Sequence, residues 1–195
     1  MRMKRAFPGE YDFFPNTWVL PGDNIDFRNQ FSKQTEGKKE RRQTYIVKPD
    51  GLSQGKGIFL SRKIEHILSN IETATQEDGI GGWVVQHYLD NPHLIDDLKY
   101  DLRIYVLVNS VNPLRIYIHE YGLARFCTEP YKKPTGRNLN NHFMHLTNYA
   151  INKYSEAYVA GEEESGDEES GHKRSYKAIL NILEACGADK EKLEK

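Results

Sequence analysis

The chain is 195 residues long, and 27 lysines and arginines against 28 aspartates and glutamates leave a formal net charge of −1. That balance gives no argument for nucleic acid as a partner, and no apolar run approaches the ~18 residues of a membrane span. Hydrophobic residues make up 38% and mean hydropathy is −0.72, which suits one lean-cored domain, or a domain and a part.

The N-terminus, Met1 to Pro8, has charges with no apolar stretch behind them, so it is not a signal peptide. Phe13-Phe14-Pro15 and Thr17-Trp18-Val19-Leu20-Pro21 read as an extended, proline-punctuated segment lying on a domain. Asp23 to Phe31 is expected to be a short helix. The basic run Lys38-Lys39-Glu40-Arg41-Arg42 reads as a solvated loop before the first strand. Residues 1–43 are thus expected to form an N-terminal segment and 44–195 the body of the domain.

Thr44 to Val47 is β-branched and aromatic, and Lys48 ends the run. A polar, glycine-rich loop follows, Pro49-Asp50-Gly51-Leu52-Ser53-Gln54-Gly55-Lys56-Gly57, and then Ile58-Phe59-Leu60. Two strands joined by such a loop, with lysines at both ends, make a flap that can close over polyphosphate. An ordinary hairpin with a loose tip is the alternative. The glycine spacing fits neither a Walker A loop nor a dinucleotide fingerprint. The protein-kinase set fails too, for lack of a third glycine and of an H-R-D stretch.

Ile64, Ile67, Leu68 and Ile71 follow at helical spacing, predicting a helix over 62–74, and Gln76 to Gly82 is a turn. Trp83-Val84-Val85-Gln86-His87-Tyr88-Leu89 reads as a buried-type strand. Its polar end, Gln86 to Leu89, is either plain core or a place where main-chain groups meet an adenine edge. Asp101 to Val108 and Leu114 to Tyr121 are two further strands, split by the turn signal Asn109 to Pro113 and expected to pair antiparallel. Period-two alternation places Lys99, Asp101 and Arg103 on one face and Tyr100, Leu102 and Ile104 on the other. Three charges on one strand face are costly to bury unless they serve a site. A solvent-facing ladder of ion pairs is the alternative. The site is favoured because Tyr105 to Val108 reads as fully buried. Arg125, just past a strand, is suited to clamp a carboxylate or phosphate in bidentate fashion, or to make a surface ion pair.

Residues 125–153 are polar, aromatic and irregular. His142 and His145 lack a Cys or acidic partner at a metal-ligand offset, so no metal is assigned to them. Cys127 and Cys186 lie far apart with no metal spacing and read as reduced thiols of a cytosolic protein. Residues 161–172, with Glu162-Glu163-Glu164 and Asp167-Glu168-Glu169, read as a mobile acidic loop. A last amphipathic helix carries Tyr176, Ile179, Leu180 and Leu183, with Gly187 as its stop.

Several segments, in order, resemble the tubulin tyrosine ligase-like family of ATP-grasp amino-acid ligases, most of all its polyglutamylase branch. They are Phe14-Pro15-x-Thr17-Trp18-Val19-Leu20-Pro21, Tyr45-Ile46-Val47-Lys48-Pro49, Gln54-Gly55-Lys56-Gly57-Ile58-Phe59, Val84-Val85-Gln86-x-Tyr88-Leu89 and Leu94-Ile95-Asp96. Lys99 to Leu107, Gly122-Leu123-Ala124-Arg125-Phe126 and Met144 to Lys153 complete the set. The resemblance implies an α+β, ATP-grasp-like fold, with antiparallel sheets and flanking helices, here incomplete at the C-terminal end. It implies that Lys48, Gln54 and Gly55 contact ATP phosphates. Gln86, His87, Tyr88 and Leu89 would meet adenine, and Lys99, Tyr100 and Asp101 would hold nucleotide, with Asp101 suited to ribose hydroxyls. Thr147 and Asn148 would line the same site. Arg125 and Lys173 would hold the incoming amino acid near Ala150, and Gln54 would also touch the protein substrate.

The chemistry implied is ATP-dependent addition of free L-glutamate to glutamates of acidic tubulin tails on microtubules, through an acyl phosphate and with magnesium. The setting would be the cytoplasm and cytoskeleton, cilium or flagellum included. A glycine or tyrosine ligase is the alternative within the class, and a non-catalytic microtubule binder using Lys38 to Arg42 the alternative outside it. The family's magnesium ligands, a late acidic residue and a Glu-x-Asn pair, are not found in these 195 residues. They are expected beyond Lys195, and a chain ending there is expected to bind nucleotide poorly and not to turn over.

Overall fold

The computed structural model describes residues 2–36, 43–160 and 170–189. The basic run 38–42 and most of the acidic segment, 161–169, lie outside the described residues. The chain divides into two compact units, 1–92 with 133–141, and 93–132 with 142–195.

The first unit contains helix α1 (Arg2–Ala6), strand β1 (Thr17–Leu20), helix α2 (Asn24–Glu36), strands β2 (Tyr45–Pro49) and β3 (Phe59–Ser61), helix α3 (Ile64–Asp78) and strand β4 (Trp83–His87). Its sheet has the order β1-β4-β2-β3 and is antiparallel throughout. Strand parity decides what each face carries. Trp18, Leu20, Tyr45, Val47, Trp83 and Val85 turn inward and form a core with Phe27 of α2 and Ile67 of α3. Thr17, Lys48 and Gln86 lie on the opposite face.

Both helices run further than the sequence reading placed them. No proline or glycine stands between Asn24 and Glu36, and Phe31 adds a packing position on the core. Helix α3 continues to Asp78 and stops where Gly79 takes φ +68°, a left-handed conformation that glycine adopts without Cβ strain. The strand expected over 83–89 ends at His87 instead. Leu89 is exposed beyond it.

The second unit contains strands β5 (Leu94–Ile95), β6 (Leu98–Val111) and β7 (Leu114–Phe126), short helices α4 (His142–His145) and α5 (Tyr149–Asn152), strand β8 (Lys173–Ser175) and helix α6 (Tyr176–Ala185). Its sheet order is β5-β6-β7-β8, antiparallel. The two-residue β5–β6 turn puts Asp96 at φ +54° and Asp97 at φ +60°, the sign a primed hairpin turn requires at both positions. Ile95, Ala124, Phe126 and Ile179 make the core, with Leu98, Tyr100, Ile182 and Leu183 packed against it. Gly122 is fixed by close approach: a Cβ there would meet the Arg103 carbonyl at 2.7 Å and Tyr176 Cβ at 3.2 Å. Ser175 caps α6, its hydroxyl accepting from Ala178 N–H at 3.0 Å.

The expected antiparallel pair is therefore present, but the expected burial of Tyr105 to Val108 is not. Tyr105 is 57% exposed and Leu107 61%. Strands β5 and β8 flank only the base of the β6–β7 hairpin. Beyond Ile104 and Gly122, among the described residues, the two strands have only each other. Apolar sequence marks what a strand can bury, while burial itself needs a neighbour. Among the described residues no helix is long and apolar enough to cross a membrane.

Candidate active site

In the first unit the candidate residues sit on the sheet face opposite the core. Lys48 precedes Pro49, which holds its backbone extended, and parity turns its side chain away from Val47. Its ammonium donates to Gln86 Oε1 at 3.0 Å. The Gln86 amide donates in turn to Thr17 Oγ1 at 2.8 Å, and that hydroxyl donates to the Pro15 carbonyl at 2.8 Å. A three-strand relay thus fixes the lysine before any ligand arrives. Burial pushes the Lys48 pKa below the ordinary lysine value.

The loop after Lys48 concentrates left-handed backbone: Gly51 at φ +78°, Gln54 at +63°, Gly55 at +83° and Gly57 at +69°. Gln54 is the one non-glycine among them. Turn bonds from Lys56 N–H to the Ser53 carbonyl and from Ile58 N–H to the Gly55 carbonyl hold the tip. The loop therefore has a defined turn geometry, and its exposed Gln54 and Lys56 extend from it.

At the end of β4, His87 N–H donates to the Asn16 carbonyl and Tyr88 N–H to the Thr44 carbonyl, each at 2.8 Å. Strand β4 lies inside the sheet between β1 and β2, so its neighbours take its main-chain groups as far as Tyr88. Only Leu89 extends past that pairing. The His87 ring lies 5.2 Å from both Trp18 and Tyr45. Burial, aided by Lys4, lowers its pKa below 6.5. The unfolded chain then binds more protons than the folded one between that lowered value and 6.5. Stability is therefore fully present above about pH 6.5 and falls as pH drops through this window. Thermal melts from pH 8 to 5 are expected to show that fall, and His87→Phe is expected to flatten it.

In the second unit, strand register gathers three candidates in one row. Asp101 pairs with Arg125, and Arg125 with Lys173. The Arg125 guanidinium grips Asp101 with Nε on Oδ1 at 3.3 Å and Nη2 on Oδ2 at 3.0 Å. Arg103, on the same face, donates to the same Oδ2 at 2.8 Å. Two guanidiniums thus share one carboxylate, and Lys173 flanks them in register. The row, with Arg103 beside it on the same face, sets cationic side chains around one carboxylate, chemistry suited to a carboxylate ligand.

Lys99 donates to the His145 carbonyl at 2.8 Å, which ties β6 to helix α4. Tyr100 is on the other face, its ring stacked on Phe126 at 5.3 Å and its hydroxyl 3.0 Å from His93 Nδ1. Its side chain packs against the core, and its main chain is in the β6–β7 ladder opposite Phe126. Cys127 is fully buried, and burial pushes its thiol up to about 12, so it is no nucleophile.

Thr147 and Asn148 lead into α5, where Asn148 occupies the cap position without making a side-chain cap bond. What holds them is Asn152, to which the sequence reading gave no role. Its Oδ1 accepts from Thr128 N–H at 3.0 Å and Thr128 Oγ1 at 3.1 Å, and its Nδ2 donates to the carbonyls of Leu146 at 2.7 Å and Asn148 at 3.1 Å. The residue is 1% exposed. Spacing gave no signal for it, since one asparagine in a polar run looks like the next. Asn152→Leu orphans buried partners on both sides, and is expected to cost about 2–4 kcal/mol in chemical denaturation of the second unit. Ala150 sits in α5 itself, two residues before this anchor.

The profile of the tubulin-tyrosine ligase family matches residues 1–195. The probable beta-tubulin polyglutamylase of Tetrahymena thermophila is 42% identical over 195 residues, 100% of this chain and 15% of its own length. Tubulin polyglutamylase TTLL11 of Mus musculus is 42% identical over 191 residues, 98% of this chain and 25% of its own. Tubulin polyglutamylase TTLL6 of Homo sapiens is 43% identical over 183 residues, 94% and 18% respectively. The chain thus spans 15–25% of the length of these curated relatives.

Proposed function

The chain belongs to the tubulin-tyrosine ligase family, and from that membership we propose that it is part of an ATP-dependent ligase adding glutamate to the acidic tails of tubulin. That its relatives are named tubulin polyglutamylases supports tubulin and glutamate as substrates. The two antiparallel sheets with flanking helices are consistent with an ATP-grasp fold. The observation that carries the reading is the row Asp101, Arg125, Lys173, which offers cations in register to a carboxylate substrate.

In this reading a tail carboxylate oxygen attacks the γ-phosphorus of ATP and ADP leaves. The amine of free glutamate attacks the acyl carbon, phosphate leaves, and the amine loses its proton as the amide forms. Lys48, Gln54 and Gly55 would balance and seat the transferring phosphates. The relay through Gln86 and Thr17 would keep Lys48 from reorganising during transfer. Leu89 and the segment before it would meet adenine. Lys99, Asp101, Thr147 and Asn148 would line the nucleotide, and Arg125 and Lys173 would orient the glutamate beside Ala150. Magnesium would accompany ATP as its counter-ion. Among the described residues no group of three His, Cys, Asp or Glu is gathered to hold a metal.

The test is the nucleotide product. The intact protein with tubulin, glutamate and ATP is expected to release ADP and phosphate, one of each per residue added, and only when tubulin and glutamate are both present. AMP and pyrophosphate would contradict the acyl phosphate. Salt-sensitive microtubule binding with no nucleotide turnover would favour a non-catalytic binder instead.

A further inference from the structure

We infer that Arg174 is a positioning residue for the amino-acid site, tying β8 to the β5–β6 turn from the face opposite the Asp101–Arg125–Lys173 row. The inference rests on the proposed role of that row. Strand alternation sends Arg174 to the opposite face from Lys173. There its side chain is only 11% exposed and its guanidinium lies 4.4 Å from the centre of the Phe126 ring. It donates to the Gly171 carbonyl at 3.0 Å and to Asp96 Oδ2 at 2.6 Å. Asp96 sits in the left-handed turn that starts β6, the strand that carries Asp101. Phe126 ends β7, next to Arg125. One buried side chain therefore touches all three places from which the row is built.

Such a tie matters because β8 is only three residues long, paired with β7 through Leu123, Ala124 and Arg125. A strand this short has few ladder bonds to hold its register. A slip by one residue would exchange Lys173 for Arg174 on the functional face. Arg174 opposes that slip: its cation is matched to the Phe126 ring, the Gly171 carbonyl and the Asp96 carboxylate together. A lysine ammonium lacks the planar fork that meets all three.

Steady-state kinetics of the intact protein, with Lys173→Ala as reference, separate this role from general stabilisation. Arg174→Met is expected to raise KM for glutamate about tenfold or more while KM for ATP stays within about twofold, as displacement of a positioning group does. Arg174→Lys is expected to recover only part of the loss. Asp96→Asn, which tolerates the same backbone, is expected to give a smaller change in the same direction. Amide exchange over 172–175 is expected to quicken in Arg174→Met. The inference is overturned if Lys173→Ala raises KM for glutamate and Arg174→Met does not, or if both KM values rise together with a fall in Tm. Should Arg174→Met fail to fold, Asp96→Asn decides by the same criteria. Should Lys173→Ala leave KM unchanged, the glutamate reading of the row falls. The exchange measurement then decides the tie alone, unchanged protection at 172–175 overturning it.

Discussion

Arg125→Met is expected to lower kcat/KM for glutamate addition by about 100- to 1,000-fold, the range set by losing one or two charge-assisted hydrogen bonds to a carboxylate. The residue has two roles in the row. Its fork holds Asp101 through both oxygens, and it is the central cation between Asp101 and Lys173. Removing it leaves Asp101 with Arg103 and turns a net cationic strip into a weaker one. Methionine keeps the side-chain bulk on a residue that is already partly open to solvent, so folding is expected to survive. Arg125→Lys is expected to recover little, because an ammonium is a point charge and cannot reproduce the planar fork. Kinetics with varied glutamate and with varied ATP should place the loss mainly on glutamate. A loss below fivefold, or one that falls equally on ATP, would remove Arg125 from the proposed amino-acid site.

The second large effect is on the nucleotide side. Lys48→Met is expected to reduce kcat/KM for ATP about 100-fold, as removal of one preorganised charge partner does, with little change in KM for glutamate. Stability should move the other way or stay level. The Lys48 pKa is lowered by desolvation, so folding places a cation where its charged form is disfavoured. An apolar side chain of similar length relieves that cost. A variant that is at least as stable and yet far less active would separate the phosphate role from a structural one. Lys48→Arg is not expected to rescue, since a guanidinium is bulkier than the ammonium seated on Gln86 Oε1. Thermal melts alongside kinetics of the intact protein check both halves. Unchanged kinetics with ATP would return the loop to an ordinary hairpin.

Local rules made much of this legible before any coordinates. Parity in Lys99 to Ile104 separated the charged face from the apolar face, because a strand offers only two directions, though of Tyr100, Leu102 and Ile104 only Tyr100 packs on the core. The glycines of 51–57 marked a loop between two strands, and Gly51, Gly55 and Gly57 take positive φ there, with Gln54 the non-glycine among them. What local pattern could not supply was register, and it was the family resemblance alone that joined Arg125 to Lys173. Lys173 lies far along the chain from Arg125, and β8 is too short to show a strand pattern of its own. Only pairing with β7 puts the two side by side. The same limit hid Arg174, whose partners come from β7, from Gly171 just before β8 and from the turn before β6. Burial failed for a related reason in the β6–β7 hairpin: an apolar strand looks the same in sequence whether or not another element covers it.

In the proposed reading this chain helps join glutamate, rather than glycine or tyrosine, to tubulin tails at the expense of ATP. Mass spectrometry of tubulin tails tests it most directly, after incubation of the intact protein with ATP, magnesium and an equimolar mixture of glutamate, glycine and tyrosine. Glutamyl additions alone, absent without ATP and strongly reduced by Arg125→Met, are the expected result. Glycyl or tyrosyl additions, or additions that persist without ATP, would contradict it.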